Sequence, residues 1–89
     1  MGWTIELDRE AVRDLAKFDQ TVARRILAFL HGRVAVLDSP RRIGKALKGS
    51  KMGEFWRYRV GNVRIVAHLE DNVLRVLVVR IARRDKVYR

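Results

Sequence analysis

An α+β domain is predicted by three features of the 89-residue sequence. A short opening stretch carries apolar residues at every second position, and two runs that each begin at an aspartate then carry them at spacings of three and four. The remainder is rich in Val, Ile, Leu and aromatics and is interrupted by the turn pairs Gly61-Asn62 and Asp71-Asn72. The expected architecture is an N-terminal strand and a helical hairpin packed on a small antiparallel three-stranded meander. A chain of this length supports a single domain, residues 1–89, around one modest core.

The elements follow in order. In "WTIELD", Trp3, Ile5 and Leu7 alternate with Thr4, Glu6 and Asp8, the period of a half-buried strand. Asp8 offers an N-cap to a first amphipathic helix, in which Ala11, Val12, Leu15, Ala16 and Phe18 recur at helical spacing. Asp19 caps a second, longer helix through Val22, Ile26, Phe29, Leu30, Val34 and Leu37, which Asp38-Ser39-Pro40 ends. Gly32 costs that helix about 1 kcal/mol relative to Ala, so His31 to Arg33 is where it would break. Residues 41–53, "RRIGKALKGSKMG", read as a mobile basic connection. Gly44 and Gly49 match the glycine spacing of a phosphate-binding loop, but Ser50-Lys51 reverses the required order and excludes that motif. Three strands complete the chain, Phe55 to Val60, Val63 to Glu70 and Val73 to Ile81, each pair joined by a two-residue turn.

The net charge of +10 is unevenly distributed. Residues 1–40 carry six basic and six acidic side chains, whereas residues 41–89 carry fourteen basic and four acidic. A one-sided excess of this kind favours a polyanionic partner, by field steering and counterion release, and nucleic acid or the ribosome is the leading class. No stretch pairs a basic face with a wholly apolar one, which argues against a membrane surface. No apolar run reaches the length of a span, and the absence of cysteine points to a reducing, cytoplasmic setting and excludes thiolate metal sites. His31 and His68 are far apart and have no metal-ligand spacing, and no Ser-His-Asp or Cys-His set can be drawn.

A two-residue turn at Gly61-Asn62 sets Arg59 opposite Arg64, and Arg57 opposite Val66. Arg57, Arg59 and Arg64 then share one face, while Trp56, Tyr58, Val60, Val63, Ile65, Ala67 and Leu69 form the core face. Like charges directly opposite on a sheet are unfavourable by up to about 1 kcal/mol. A phosphate between them would offset this, because guanidinium matches phosphate oxygens in paired fashion. The alternative is that both side chains splay into water or lie on Val66. The same register places Leu77 and Val79 on the arginine face, and Arg83, Arg84, Lys86 and Tyr88 at the end of the strand beside it.

The run "ALKGSKMGEFWRYRVGNVRIVAHLEDNVLRVLVVRIARRDKVYR" resembles the RelE family of bacterial toxins, within the RelE/ParE superfamily. The most specific parts are the strand "WRYRVGNVRIV" and the terminal "R-R-x-x-V-Y"; the preceding strand, helical hairpin and "LDSP" keep the family order. The resemblance implies a type II toxin, a ribosome-dependent endoribonuclease that cuts messenger RNA in the ribosomal A site. In that family the ribose 2′-OH attacks the adjacent phosphate without a metal or other cofactor. It also implies an acidic, RelB-like antitoxin as partner in a hetero-oligomer, with the 70S ribosome and its message as target.

By motif, the resemblance assigns catalytic positions to Arg57, Arg59, Arg64, Arg84 and Tyr88; on the same reading the cations Lys45, Lys48, Lys51 and Arg83 are expected to contact RNA or ribosome by charge. The strand pair is two lysines in some members and two arginines here. Arginine, with a pKa above about 12, cannot act as a general base, so Arg57 and Arg59 are expected to bind phosphate and stabilise the transition state. Tyr88 is then the candidate base, its phenolate favoured among guanidinium groups, or alternatively a platform for base stacking. Arg84 would neutralise the departing 5′-oxygen. A ParE-like inhibitor of DNA gyrase, sharing the fold but lacking nuclease chemistry, is the runner-up, and a degenerate superfamily member that only complexes its antitoxin is a third reading.

Overall fold

The computed structural model describes residues 2–47 and 55–83. Its sheet has five strands rather than three: β1 (Thr4–Leu7), β2 (Lys45–Ala46), β3 (Phe55–Val60), β4 (Val63–Glu70) and β5 (Arg75–Arg83), in the order β1-β5-β4-β3-β2. The meander β3-β4-β5 is its centre, as expected. β1 joins parallel to β5, with Thr4 opposite Arg75 and Leu7 opposite Val78, which gives its backbone the partners that an isolated strand would lack. On the other side, Lys45 and Ala46 pair antiparallel with Arg57 and Trp56, so the basic connection enters the sheet as a short edge strand.

Helices α1 (Arg9–Ala16) and α2 (Gln20–Phe29) begin where the aspartates predict. The Asp8 carboxylate accepts from Ala11 N–H at 3.0 Å and Asp19 accepts from Val22 N–H at 2.9 Å. A cap of this kind contributes about 1 kcal/mol. Past Phe29 the winding widens to a π-helical segment, Leu30–Val34, where Ala35 N–H reaches the Leu30 carbonyl at 2.9 Å. The α-helix therefore stops well short of Asp38, and the change of winding lies at the Gly32 position. The wider turn keeps both Leu30 and Val34 in the core.

The helical layer covers one face of the sheet. Ala11, Ile26, Leu30 and Val34 meet Tyr58, Ile65, Ala67, Val76, Val78 and Ile81, all buried, and the Phe29 ring meets Tyr58 edge-on with centroids 6.0 Å apart. Val12, expected in the apolar stripe, faces solvent instead.

Two departures in β5 bear on the site. The β4–β5 connection is a four-residue turn over residues 71–74, so Val73 is exposed and Glu70 pairs with Arg75. The longer turn delivers the Leu74 carbonyl to Thr4 N–H at 2.9 Å, and a two-residue turn would remove that link to β1. A bulge follows: Ala67 faces Val78 and Val66 faces Arg80, leaving Val79 without an opposite residue. Leu77 stays on the arginine face, opposite His68, but the bulge reverses parity beyond it and puts Arg80 and Ala82 there in place of Val79.

Candidate functional site

The uncovered face of the sheet carries the candidate site. Gly61 adopts the left-handed conformation (φ 59°) that the tight β3–β4 turn requires, and the turn fixes the expected register, Arg59 opposite Arg64 and Arg57 opposite Val66. Arg57, Arg59 and Arg64 thus share a face. Arg59 is exposed, Arg57 half-buried and Arg64 only 7% exposed, so the opposed pair differs in depth.

Lys45 joins them by pairing with Arg57. Gly44 permits this approach: its φ is 81°, and a Cβ there would lie 2.5 Å from the Arg57 carbonyl oxygen and 2.7 Å from Trp56 Nε1. On the core side of β3, Trp56 Nε1 donates to the Ile43 carbonyl at 2.7 Å and Tyr58 OH donates to the Pro40 carbonyl at 2.6 Å, which pins the incoming chain. Gly44, Lys45, Arg57 and Arg59 enclose a pocket of about 240 Å³.

A larger cleft of about 680 Å³ adjoins the same face. Arg64, Val66, Arg80, Ala82 and Leu47 line it on the sheet side, and it continues past the outer edge of β5 to Asp14, Lys17 and Phe18. Arg83 enters from the helix side, its guanidinium carbon 5.5 Å from the centre of the Phe18 ring. It pairs with Val63 and so belongs to the core-side row rather than to the arginine face. Lys48, Lys51, Arg84 and Tyr88 lie outside the described residues.

Two residues of the cleft were not singled out in the sequence. β1 stops opposite Val78, so beyond it the edge of β5 turned away from β4 has no strand partner among the described residues. Asp14 of α1 fills that role: its Oδ2 accepts Ile81 N–H at 2.9 Å and Arg80 Nε at 2.8 Å. Burial pushes the Asp14 carboxyl up, but the Arg80 and Ile81 hydrogen bonds and the charges of Arg80 and Lys17 outweigh it and hold the group below its ordinary value. The signal for Asp14 was its place in the 11, 14, 18 stripe of α1; Arg80 had none, because the bulge alone decides its face.

Charge is neutralised unequally along the face. At the far end Arg75 is bonded to Glu70 and lies 3.5 Å from Glu6, and the Arg75 hydrogen bond holds the Glu70 carboxyl down. Near the Gly61 turn, Arg57, Arg59 and Lys45 make no ion pair among the described residues. A concave, basic, partly apolar surface remains, able to bind an anion with an attached planar or sugar group.

A family model described as the ParE toxin of type II toxin-antitoxin systems, parDE, matches residues 5–88. The chain is 32% identical over 85 residues to Toxin RelE of Mycobacterium tuberculosis, covering 96% of this chain and 84% of that protein. The chain belongs to the RelE/ParE superfamily of type II toxins.

A second relative, Toxin RelG of the same organism, is 28% identical over 89 residues, 100% of this chain and 99% of that one. Among solved structures, the RelBE2 toxin-antitoxin complex of M. tuberculosis superposes with a TM-score of 0.83 at 24% identity, covering 94% of this chain and 93% of that one. The intact RelBE complex of E. coli gives 0.72 at 23% identity, covering 91% and 95%. These superpositions establish a RelE-like fold. No helix among the described residues of this superfamily member is long and apolar enough to cross a membrane.

Proposed function

We propose that this toxin is a ribosome-dependent endoribonuclease that cuts messenger RNA in the A site by attack of a ribose 2′-OH on the adjacent phosphate. The observation that carries the reading is the sharing of one face by Arg57, Arg59 and Arg64, with Lys45 beside them and no acidic partner for Arg57, Arg59 or Lys45 among the described residues. A cleaving site of this kind must hold a bent phosphodiester and stabilise two negative charges as it becomes pentacoordinate. Fixed guanidinium groups supply that stabilisation without reorganisation. Proton transfer falls to other groups. Tyr88 takes the 2′-OH proton as phenolate, and Arg84 neutralises the 5′-oxygen as it leaves.

The partner follows from the same charge. Relatives have been solved as toxin-antitoxin complexes, and a chain of net charge +10 fits an acidic, RelB-like antitoxin that masks the basic face. The second reading, inhibition of DNA gyrase, is favoured by one observation, that the matching family model is described by the name ParE. Two curated relatives carry RelE-type names and favour the nuclease.

Reconstituted translation with 5′-end mapping, run beside a gyrase supercoiling assay, separates the readings. New message ends in A-site codons are expected, with supercoiling unaffected. Intact messages together with inhibited supercoiling would support the gyrase reading instead. In the same system, Tyr88→Phe is expected to slow cleavage by about 10² or more if the phenol is the base; an undiminished rate would leave it a stacking role only.

A further inference from the structure

Arg80 is distinguished by how it is held. Arg41 makes the paired bond typical of a structural clamp, Nη1 and Nη2 to the two oxygens of Asp71 at 2.9 and 3.0 Å. Arg80 bonds Asp14 through Nε alone, and the accepting oxygen also takes Ile81 N–H. Its side chain is 60% exposed while that of Asp14 is 7% exposed. Both Nη nitrogens of Arg80 make no hydrogen bond among the described residues. The buried carboxylate grips the root of the guanidinium, and Arg80 lines the cleft with both Nη nitrogens available to another acceptor.

Its position complements the arginines already described. Arg57, Val66 and Arg80 form one row across three adjacent strands, so the backbones of the two arginines are roughly 10 Å apart, twice the interstrand spacing. Val66 lies between them as an apolar floor. Because its Nε is tied to α1 on the outer side of β5, the Arg80 fork cannot cross Val66 to share the anion held by Arg57.

We propose that Arg80, aimed by Asp14, binds the RNA backbone at a phosphate flanking the scissile one, with Val66 beneath the intervening nucleoside. Arg80 is a binding residue and Asp14 a positioning residue. The assignment rests on the ribonuclease reading above and deepens it, by fixing the direction in which the strand leaves the site: over the outer edge of β5 toward Lys17 and Phe18.

The test is steady-state cleavage of a defined message on programmed 70S ribosomes by the full chain, with thermal midpoints measured alongside. Arg80→Gln is expected to raise KM about tenfold and to reduce the salt slope of log KM by about one, with turnover at saturation within about twofold. Arg80→Lys restores little, since an ammonium cannot be held at one nitrogen and present a fork from two others. Asp14→Asn keeps an acceptor for Ile81 N–H but removes the charge that holds Arg80, and is expected to raise KM about threefold. If the wild type cuts and Arg80→Gln leaves KM unchanged, the assignment falls and the ribonuclease reading stands. If Arg80→Lys fully restores both KM and thermal midpoint, Arg80 is only a structural ion pair; if Asp14→Asn leaves KM unchanged, the aiming role falls. A wild type that never cuts removes both readings together.

Discussion

The clearest division between what could and could not be read from single residues is between Arg59 and Asp14. A like-charged pair beside a tight turn is visible in the sequence because the turn length alone sets the register, and Arg59 does face Arg64. Asp14 looks like any helical acid until β1 ends early and an unpaired strand edge needs an acceptor. Its energetics can be checked. Asp14→Ala removes two hydrogen bonds to an ionised carboxylate, one of them from a guanidinium, and strands a buried N–H, so unfolding in urea is expected to show a loss of about 3 kcal/mol. The contribution is pH-dependent. The folded carboxyl titrates below its ordinary value, so its stabilisation is complete above the unfolded pKa of about 4 and is lost as pH falls through the folded value. The stability difference between wild type and Asp14→Ala should therefore be constant from about pH 6 to 8 and shrink below about pH 4; a gap that widened on acidification would reverse the sign argued here.

The elements that depend on local chemistry were legible, and those that depend on distant partners were not. Aspartate caps and the Gly61-Asn62 turn act within a few residues, so α1 and α2 begin, and the β3–β4 hairpin turns, where expected, whereas α2 ends early at Phe29. The β4–β5 turn is longer than Asp71-Asn72 implies because Leu74 must meet a strand more than sixty residues earlier in the chain. Leu74 adopts φ 51° to do so, a left-handed conformation that costs a non-glycine residue about 1–2 kcal/mol. Asn tolerates that region better, and Leu74 is 44% exposed, so Leu74→Asn is expected to stabilise by about 0.5–1 kcal/mol and to raise the thermal midpoint by a few degrees. Gly44→Ala should do the reverse. A methyl group 2.5 Å from the Arg57 carbonyl oxygen must push β2 off β3, which displaces Lys45 from the arginine face and lowers the midpoint.

For the whole molecule, the sheet separates two tasks. One face buries the helices and supplies the core; the other gathers cations, with Arg75 bonded to Glu70 at one end and Arg57, Arg59 and Lys45, near the Gly61 turn, making no ion pair among the described residues. The charge division between residues 1–40 and 41–89 raises the expectation of a polyanionic partner, but composition does not say where cations meet. That came from strand register for Arg57, Arg59 and Arg64, and from a bulge for Arg80. We propose that the guanidinium groups of Arg57, Arg59 and Arg64 stabilise an RNA phosphodiester as it is cut. Single-turnover cleavage of a ribosome-programmed message by the wild type and by the Arg57→Gln/Arg59→Gln double variant tests it most directly. A fall in rate of about 10² or more is predicted, with a thermal midpoint close to that of the wild type because Arg59 is exposed and Arg57 half-buried. Equal rates for the two proteins would contradict it.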